Sequence, residues 1–397
     1  RMISQYSPKH FYRKMPNVLL SQYFETKGIS LEVDWSNLEG KKGVETLFEA
    51  IKAIPDEAIQ SSIEVDFQNI NALASDGGIR ALMNEALFEE NEEFREGITA
   101  VDGLHAKAMW AFLHDPHYWK AASSLLHAEN ISQGQWKKLS GLPATPPHMD
   151  DEDIDELAKG ISNYFFHKEG KGRRCKVEPY RHIESGKEYF FAYPEDYGQL
   201  GVEWQKDQLL ARPQHPAFEI IFVYSGQERS LDIYAPKNTN AVEELRAIFA
   251  KAILKLDTLP DGTIDKREYN LDPLAEPHFD FKISPESGIE DAVVTKLRLT
   301  LKGSTKRRIF LEADTKRNSL AVYDLLKQLD PPNYYITHIA IKVTFVPQPG
   351  KRTRGKTFTI THPNSCNLNH DGMDNTIRQM LKGAGIEPQP VMPSDDA

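Results

Sequence analysis

The chain has 397 residues, with 58 acidic and 48 basic side chains and a formal net charge of −10. This length exceeds that of one ordinary core and predicts two or three domains. The negative net charge argues against a general polyanion-binding protein. No apolar run approaches the roughly 20 residues that span a bilayer, and no signal peptide is recognisable. The two cysteines give neither a disulfide framework nor a four-ligand zinc site. We therefore expect a cytoplasmic protein.

Residues 1–140 are predicted to form a helical domain. Apolar residues recur at helical spacing in this region, and residues 103–130 read as two helices broken at Asp115-Pro116, because proline cannot continue a helix past its first turn. The acidic segment 85–96 suits a protein partner or self-association. Residues 141–153, with three prolines and an acid run, are predicted to be a linker whose carboxylates lead into the next helix and complement its dipole.

The rest of the chain changes to a strand-like pattern from Arg173 onward. Residues 154–275 are predicted to form an α/β domain with two hairpins and a helix, and residues 276–386 a second α+β domain. The fold class is therefore α+β, with an N-terminal all-helical domain followed by mixed or antiparallel sheet domains. The polar, proline-rich residues 387–397 are predicted to be a disordered tail.

An internal similarity of pattern links the two sheet domains. Residues 215–256 and residues 292–329 both read strand, turn, strand, loop and amphipathic helix. This shared order indicates a duplicated strand–strand–helix module, although the residues themselves differ.

Aromatic residues are concentrated in "KEYFFAYPEDYGQLGVEW", residues 187–204. Tyr189 and Phe191 fall on one face of the predicted strand, and Phe190 falls on the other face. Aromatic side chains on both faces predict a core strand covered on both sides, which ends at Pro194. The alternative is a ligand-binding platform.

Basic residues collect in three places in the C-terminal half. In residues 163–182 they interleave with aromatics, in residues 296–310 they alternate with leucines, and in residues 351–356 they fill a predicted hairpin loop. Such clusters are typical of contact with a nucleic-acid backbone, and ordinary solubility charge is the alternative. The candidate nucleic-acid-binding residues are Lys168, Lys171, Arg173, Arg174, Lys176, Lys296, Arg298, Lys306, Arg307, Arg308, Lys351, Arg352, Arg354 and Lys356.

A second interpretation is an Mg²⁺-dependent nuclease of the restriction-endonuclease type. Glu312, Asp314 and Lys316 follow a predicted strand, and such enzymes use an acid, then an acid-x-lysine after a strand, to hold Mg²⁺ and activate water. Asp291 would supply the first acid. The D-x-K pattern is short, and a charged strand-end loop explains it equally well. Mg²⁺ under this alternative is the one cofactor that we expect, and no other metal site is predicted.

The phrases "YFFAYPEDY", "PAFEIIFVY", "LEAD" and "PNSCNL" resemble a family of functionally uncharacterised bacterial proteins. The resemblance covers most of the chain and implies a bacterial, cytoplasmic setting, but it implies no activity and no site.

We therefore expect a non-enzymatic accessory protein of a bacterial multiprotein system, such as antiviral defence. Its basic loops in the C-terminal half would contact nucleic acid or another phosphorylated ligand. The alternatives are the nuclease and a small-molecule sensor with a pocket between the two strand–strand–helix modules, near Glu195, Asp196 and Tyr197.

Overall fold

The computed structural model describes residues 6–387 apart from 184, 206, 260–262, 266–267, 304–306, 348–353 and 369–371, and it leaves the side chains of 133, 263–265 and 372 undescribed. Its fold is α+β, with an N-terminal helical region followed by antiparallel sheets with interspersed helices, as the sequence predicts. Within the described residues, no helix has the length and apolarity needed to cross a membrane. Apart from Glu387, the predicted disordered tail lies outside the described residues.

Contacts between Cα atoms divide the chain into two compact units. The first unit contains Arg1–Asn130 together with Tyr180–Ser185. The second unit contains Ile131–Pro179 and Gly186–Ala397, and therefore holds most of the sheet structure.

The first unit is built from helices whose starts are set by capping side chains. Asp56, Ser75 and Asn91 each accept hydrogen bonds from backbone N–H groups at the start of the helix that follows. The predicted break at Asp115-Pro116 is confirmed, because one helix ends just before it and another begins just after it. The helices are α1 (Pro8–Lys14), α2 (Asn17–Thr26), α3 (Gly40–Lys52), α4 (Glu57–Leu73), α5 (Asp76–Phe88), α6 (Glu92–Ala100), α7 (Leu104–His114) and α8 (Tyr118–Glu129).

The second unit begins with a six-stranded antiparallel sheet, which we call the first sheet. Its strands follow the order β2-β3-β6-β7-β1-β8, and β4 pairs with β5 in a separate hairpin. The elements are β1 (Trp136–Ser140), α9 (Asp151–Glu169), β2 (Cys175–His182), β3 (Lys187–Pro194), β4 (Gln199–Gln205), β5 (Gln208–Gln214), β6 (Ile220–Ser225), β7 (Ser230–Tyr234), α10 (Val242–Ile253) and β8 (Thr263–Asp265).

Two boundaries in this region differ from the sequence prediction. Residues 136–140 form strand β1 rather than the end of the helical domain, because they pair with β7 and β8 and bury Leu139 in the core. Helix α9 begins at Asp151, inside the predicted linker, and its first turn carries Asp151, Glu152 and Asp153. The acid run therefore lies at a helix N-terminus, where its charge complements the helix dipole.

Strand β3 is a core strand, as its aromatic pattern predicts. Tyr189, Phe190, Phe191 and Ala192 are all buried. The Phe190 ring packs against Phe249 of α10, with 5.1 Å between the ring centroids. Side chains on both faces of β3 are thus removed from water, and the binding-platform interpretation does not apply to them.

A five-stranded antiparallel sheet, the second sheet, follows with the strand order β10-β9-β11-β12-β13. Leu297 and Ile339 from one face of this sheet share a core with Val322 and Ile377 from two helices. Helices therefore cover this face. The elements are β9 (Ile289–Leu301), β10 (Arg308–Glu312), α11 (Ala321–Leu329), β11 (Tyr334–Phe345), β12 (Gly355–Thr361), β13 (Ser365–Cys366) and α12 (Gly372–Gly383).

The strand–strand–helix order is present in both sheets, as β6–β7–α10 and as β9–β10–α11. In each case the two strands form an antiparallel pair. The two modules differ in the other strand with which their first strand pairs. Strand β6 also pairs with β3, which precedes it in the chain, whereas β9 also pairs with β11, which follows the helix.

A buried ion pair lies beside strand β1 of the first sheet. Lys138 on β1 is 2% exposed, and its Nζ atom lies 2.8 Å from the Glu228 carboxylate. Lys187 contacts the same carboxylate, also at 2.8 Å. Burial acts to raise the pKa of Glu228, but hydrogen bonds from the two lysines outweigh it and lower the pKa to about 2.

Replacing Glu228 with glutamine should lower the free energy of unfolding by about 3 kcal/mol, because buried Lys138 then loses the carboxylate that lies 2.8 Å from its ammonium. Denaturant titration followed by circular dichroism measures the change. Glu156→Gln is the control: it removes a surface partner of Lys255, so we expect a change below about 0.5 kcal/mol. Similar losses in the two variants would contradict the buried-pair account.

The same pair makes stability depend on pH. Because the pKa of Glu228 is lowered on folding, its contribution is fully present above its ordinary value of 4.5 and is lost as the pH falls toward about 2. The difference in stability between the wild type and Glu228→Gln should therefore shrink in acid.

Candidate nucleic-acid interface

Lys171, a candidate from the first basic segment, is engaged inside the protein. Its ammonium lies 2.9 Å from the Glu169 carboxylate and donates to Asn238 Oδ1 at 3.1 Å. It also sits 4.4 Å above the ring of Phe218. These contacts hold the charge within the fold, so Lys171 is a poor candidate for a surface contact with phosphate.

Two further bases of this segment are paired with carboxylates. Arg174 donates to both carboxylate oxygens of Glu195, at 3.1 and 3.0 Å. This interaction raises the pKa of Arg174 and lowers the pKa of Glu195. Lys176 lies 3.0 Å from Glu178. Because Lys171, Arg174 and Lys176 are paired, the first segment presents less free positive charge than its sequence indicates, although Lys168 is exposed.

Arg173 is exposed and is held differently from its neighbours. Its guanidinium lies 5.6 Å from the centroid of the Phe166 ring, in a cation–π contact. Arg173 and Lys168 are thus the members of the first basic segment that remain candidates for an anionic ligand.

The residues proposed to line a small-molecule pocket already make contacts within the protein. Glu195, besides its contact with Arg174, lies 3.1 Å from His215. The Tyr197 hydroxyl donates to the backbone carbonyl of Glu169 at 2.5 Å. The backbone N–H of Asp196 donates to the carbonyl of Pro216. These contacts fix the loop, which leaves it less able to reorganise around a ligand.

In the third basic segment, Lys356 points to the helix-covered side of the second sheet. Its cross-strand partner is buried Val343, and its ammonium lies 2.5 and 2.6 Å from the two oxygens of buried Asp374. Lys356 is therefore part of the core side rather than a surface cation. Arg354 is exposed. Lys306, Lys351 and Arg352 lie outside the described residues.

The opposite face of the second sheet points away from these helices, and we call it the open face. Thr300 and Ala340 on it are buried, whereas Arg308 and Phe310 on β10 are exposed. Directly opposite residues of an antiparallel pair project to the same face. The strand register therefore places the middle basic segment in transverse rows across β10, β9 and β11. The rows are Arg308–Thr300–Tyr335, Phe310–Arg298–His338 and Glu312–Lys296–Ala340.

Arg298 is fixed at the centre of the open face. Its Nε atom donates to Thr337 Oγ1 at 3.0 Å, and its Nη2 atom donates to the Thr337 carbonyl at 3.0 Å. Thr337 is the extra residue of a β-bulge between Ile336 and His338, which brings its hydroxyl beside the guanidinium. The side chain of Arg298 is thus oriented before any ligand arrives.

The cations of the open face lie close enough to affect one another. Burial lowers the pKa of Arg298, and the positive charge of Arg308 lowers it further. Burial also lowers the pKa of His338, as do the charges of Arg298 and Lys296. An anion placed here would relieve this repulsion.

Few carboxylates compensate these charges. Lys296 lies 2.9 Å from Glu312, but Glu312 is mostly exposed, and such surface pairs contribute little. In the part of the chain that the structure describes, neither Arg298 nor Arg308 is paired with a carboxylate. Lys342, exposed further along β11, extends the basic character of the face.

Aromatic side chains lie among the cations. Phe310 is 64% exposed and lies directly opposite Arg298, while Tyr335 is half-buried beside Thr300. Exposed aromatic rings next to arginines form the kind of surface on which single-stranded nucleic acids stack their bases.

Among the residues of the nuclease alternative, Asp291 is not brought beside Glu312. Glu312 lies opposite Lys296, five residues along β9 from Asp291, which corresponds to about 15 Å at the usual rise of a strand. The Asp314 carboxylate accepts the backbone N–H of Lys316 in a local turn. Among the described residues, no group of three or more His, Cys, Asp or Glu side chains could hold a metal ion.

The sequence reasoning missed the β4–β5 hairpin. Leu200, Val202 and Trp204 alternate with polar or small residues, which is the period of a strand with one apolar face. The alternation alone does not predict a hairpin, because the two residues between Gln205 and Gln208 are not one of the glycine-containing pairs that mark one.

A comparison with known protein families finds no match to this chain, and a comparison with curated proteins finds no similar sequence. The resemblance to a bacterial family therefore stays a prediction, and function has to be inferred from the open face itself.

Replacing Arg298 with glutamine should raise the pKa of His338, because one of the positive charges that lower it is removed. The pKa of His338 should stay below its ordinary value, since burial is the larger cause of the lowering. A histidine-selective NMR titration measures the pKa. Lys327→Gln on α11, which packs on the other side of the sheet, is the control and should leave it unchanged. An unchanged pKa in Arg298→Gln would contradict the proposed proximity.

Proposed function

We propose that this chain is a non-enzymatic binding protein that holds single-stranded nucleic acid, or another phosphorylated ligand, on the open face of its second sheet. The observation that carries the proposal is the placement of Arg298 and Arg308 on neighbouring strands, where the positive charge of Arg308 acts on the Arg298 guanidinium. Lys296 adds a third cation in the next row.

Phosphate recognition follows from the chemistry of these side chains. A guanidinium is always charged and offers several N–H donors in a planar arrangement that matches a phosphate. Arg298 is already held by Thr337, so less conformational entropy is lost when it binds a ligand. Binding also releases counterions from the nucleic acid, which makes the free energy of binding more favourable, and this contribution becomes smaller as the salt concentration increases.

Base stacking would make a second contribution to the free energy of binding. Phe310 is exposed beside Arg298, and stacking of one base on an aromatic ring is worth about 1–3 kcal/mol. Stacking tolerates any base, so we expect weak sequence preference.

The net charge of −10 shapes how such a ligand would bind. A polyanion is repelled by most of a negative surface and attracted only where cations are concentrated. The open face would then be the preferred point of contact, with Arg173 and Lys168 as a second, smaller group.

The proposal retains the wider role expected from the sequence. An accessory role in a bacterial multiprotein system, with the acidic segment 85–96 facing a protein partner, is supported by the resemblance and the charge pattern alone. Glu92 and Glu93 of that segment lie in the first turn of α6, where helix capping also explains them.

Replacing Arg308 with alanine should weaken binding of a labelled single-stranded oligonucleotide by roughly tenfold and reduce the salt slope of log K by about 0.7, because one phosphate contact is lost. Phe310→Ala should weaken binding by a similar factor with an unchanged salt slope, because stacking releases no counterion. Fluorescence anisotropy over a salt series measures both quantities.

Lys327→Ala on α11 is the matched control, since it removes an exposed cation from the helix-covered side. Equal effects of Lys327→Ala and Arg308→Ala, or an affinity that does not depend on salt, would refute the open face as the interface. Adding Mg²⁺ to the same mixtures tests the nuclease alternative, which requires cleavage that Asp314→Ala abolishes.

A further inference from the structure

The hairpin formed by β4 and β5 stands apart from both sheets. Its two strands pair only with each other among the described strands. Every described residue of these strands is exposed except Gly201 and Leu210, which are half-buried. A two-stranded hairpin is marginally stable in water unless one face packs against something else.

The two faces of this hairpin differ sharply in chemistry. The cross-strand register places six apolar side chains together on one face, and we call this the apolar face of the hairpin. Its residues are Leu200, Val202, Trp204, Leu209, Ala211 and Pro213. Four of them are strongly exposed: Leu200 at 68%, Val202 at 61%, Trp204 at 72% and Leu209 at 56%.

The opposite face is polar apart from Leu210, which is half-buried, and its charged side chains contact one another. Arg212 donates to Gln205 Oε1 at 2.6 Å and lies 3.6 Å from the Glu203 carboxylate. This face therefore suits water, whereas the apolar face is a contiguous patch of the kind that marks an interaction site.

We propose that the apolar face of the hairpin is covered by the same face of a second copy of this chain, in a two-fold symmetric dimer. A two-fold axis brings one patch against its own copy, so an apolar face is matched by an equally apolar one. The two hairpins would form a small sandwich with faces about 10 Å apart.

The available area fits this occupant. With roughly 100 Å² of exposed apolar surface for each of six side chains, one hairpin offers about 600 Å². Two copies would bury about 1,200 Å² in total, which lies at the lower limit of specific protein interfaces. A reversible dimer is therefore expected rather than a permanent one.

The charges of the hairpin also favour a second copy. In the sequence, residues 199–214 contain two acids and two bases, Glu203, Lys206, Asp207 and Arg212, in a chain whose net charge is −10. A neutral hairpin can approach an identical one without the repulsion that two acidic surfaces would experience. This inference is independent of the open face and of the function proposed for it.

Replacing Leu209 with glutamate tests the proposal, with Gln208→Glu as the matched control. The two residues are adjacent in β5, face opposite sides of the hairpin and gain the same charge. We expect the wild-type chain to dimerise reversibly in sedimentation-velocity ultracentrifugation. Leu209→Glu should weaken the dimer by at least about 100-fold, and Gln208→Glu should leave it unchanged.

At concentrations where the wild-type chain is monomeric, both variants should keep its thermal unfolding curve, since no described residue of the hairpin belongs to either sheet core. A second measurement avoids reliance on a destabilising change. Val202→Cys, near the centre of the apolar face, should form a disulfide-linked dimer on mild oxidation, and Glu203→Cys should not.

Three results would overturn the inference. These are a wild-type chain that stays monomeric at the highest concentration tested, a dimer that persists in Leu209→Glu, and a dimer in which Val202→Cys fails to cross-link. The first result would assign the apolar face to a different protein partner.

Discussion

The antiparallel pairing of β9 with β11 is the constraint on which the second sheet depends. The two strands span 13 and 12 residues and form the centre of the sheet. Because side chains alternate along a strand, a single register decides which ones enter the core. Leu297 and Leu299 face the helices, so Lys296 and Arg298 must face the other way. Register shifts, such as the bulge at Thr337, preserve this division and re-aim individual side chains.

The local density of basic residues is a poor guide to free positive charge. Arg174 and Lys356 belong to segments as basic as the one around Arg298, yet each meets a carboxylate that is distant in sequence. Glu195 lies 21 residues from Arg174, and Asp374 lies 18 residues from Lys356. The partner is supplied by folding, which composition and spacing do not reveal. What distinguishes Arg298 is that its neighbours across the sheet are threonine, phenylalanine and histidine.

Features governed by short-range patterns could be predicted from the sequence. The break before Pro116, the buried β3 strand and the alternation that points Leu297 inward and Arg298 outward all follow from local rules. Features that depend on distant partners could not. Strand β1 is stabilised by pairing with β7, about 90 residues further along the chain. The sequence of residues 136–140 does not by itself predict that pairing. The same limit explains why the rows of the open face, which join three strands, emerge only from the register.

The two exposed surfaces of the second unit make different physical demands. The cations of the open face are stable in water, because solvent and salt screen their charges. Their free energy is lowered further only when an anion displaces that solvent. The apolar face of the hairpin is unfavourable for as long as Trp204 and its neighbours meet water. The cationic open face is therefore stable without its ligand. The apolar face of the hairpin is stable only when it is covered, which favours a partner that is always present. A second copy of the same chain meets that condition, because it is present wherever the protein is.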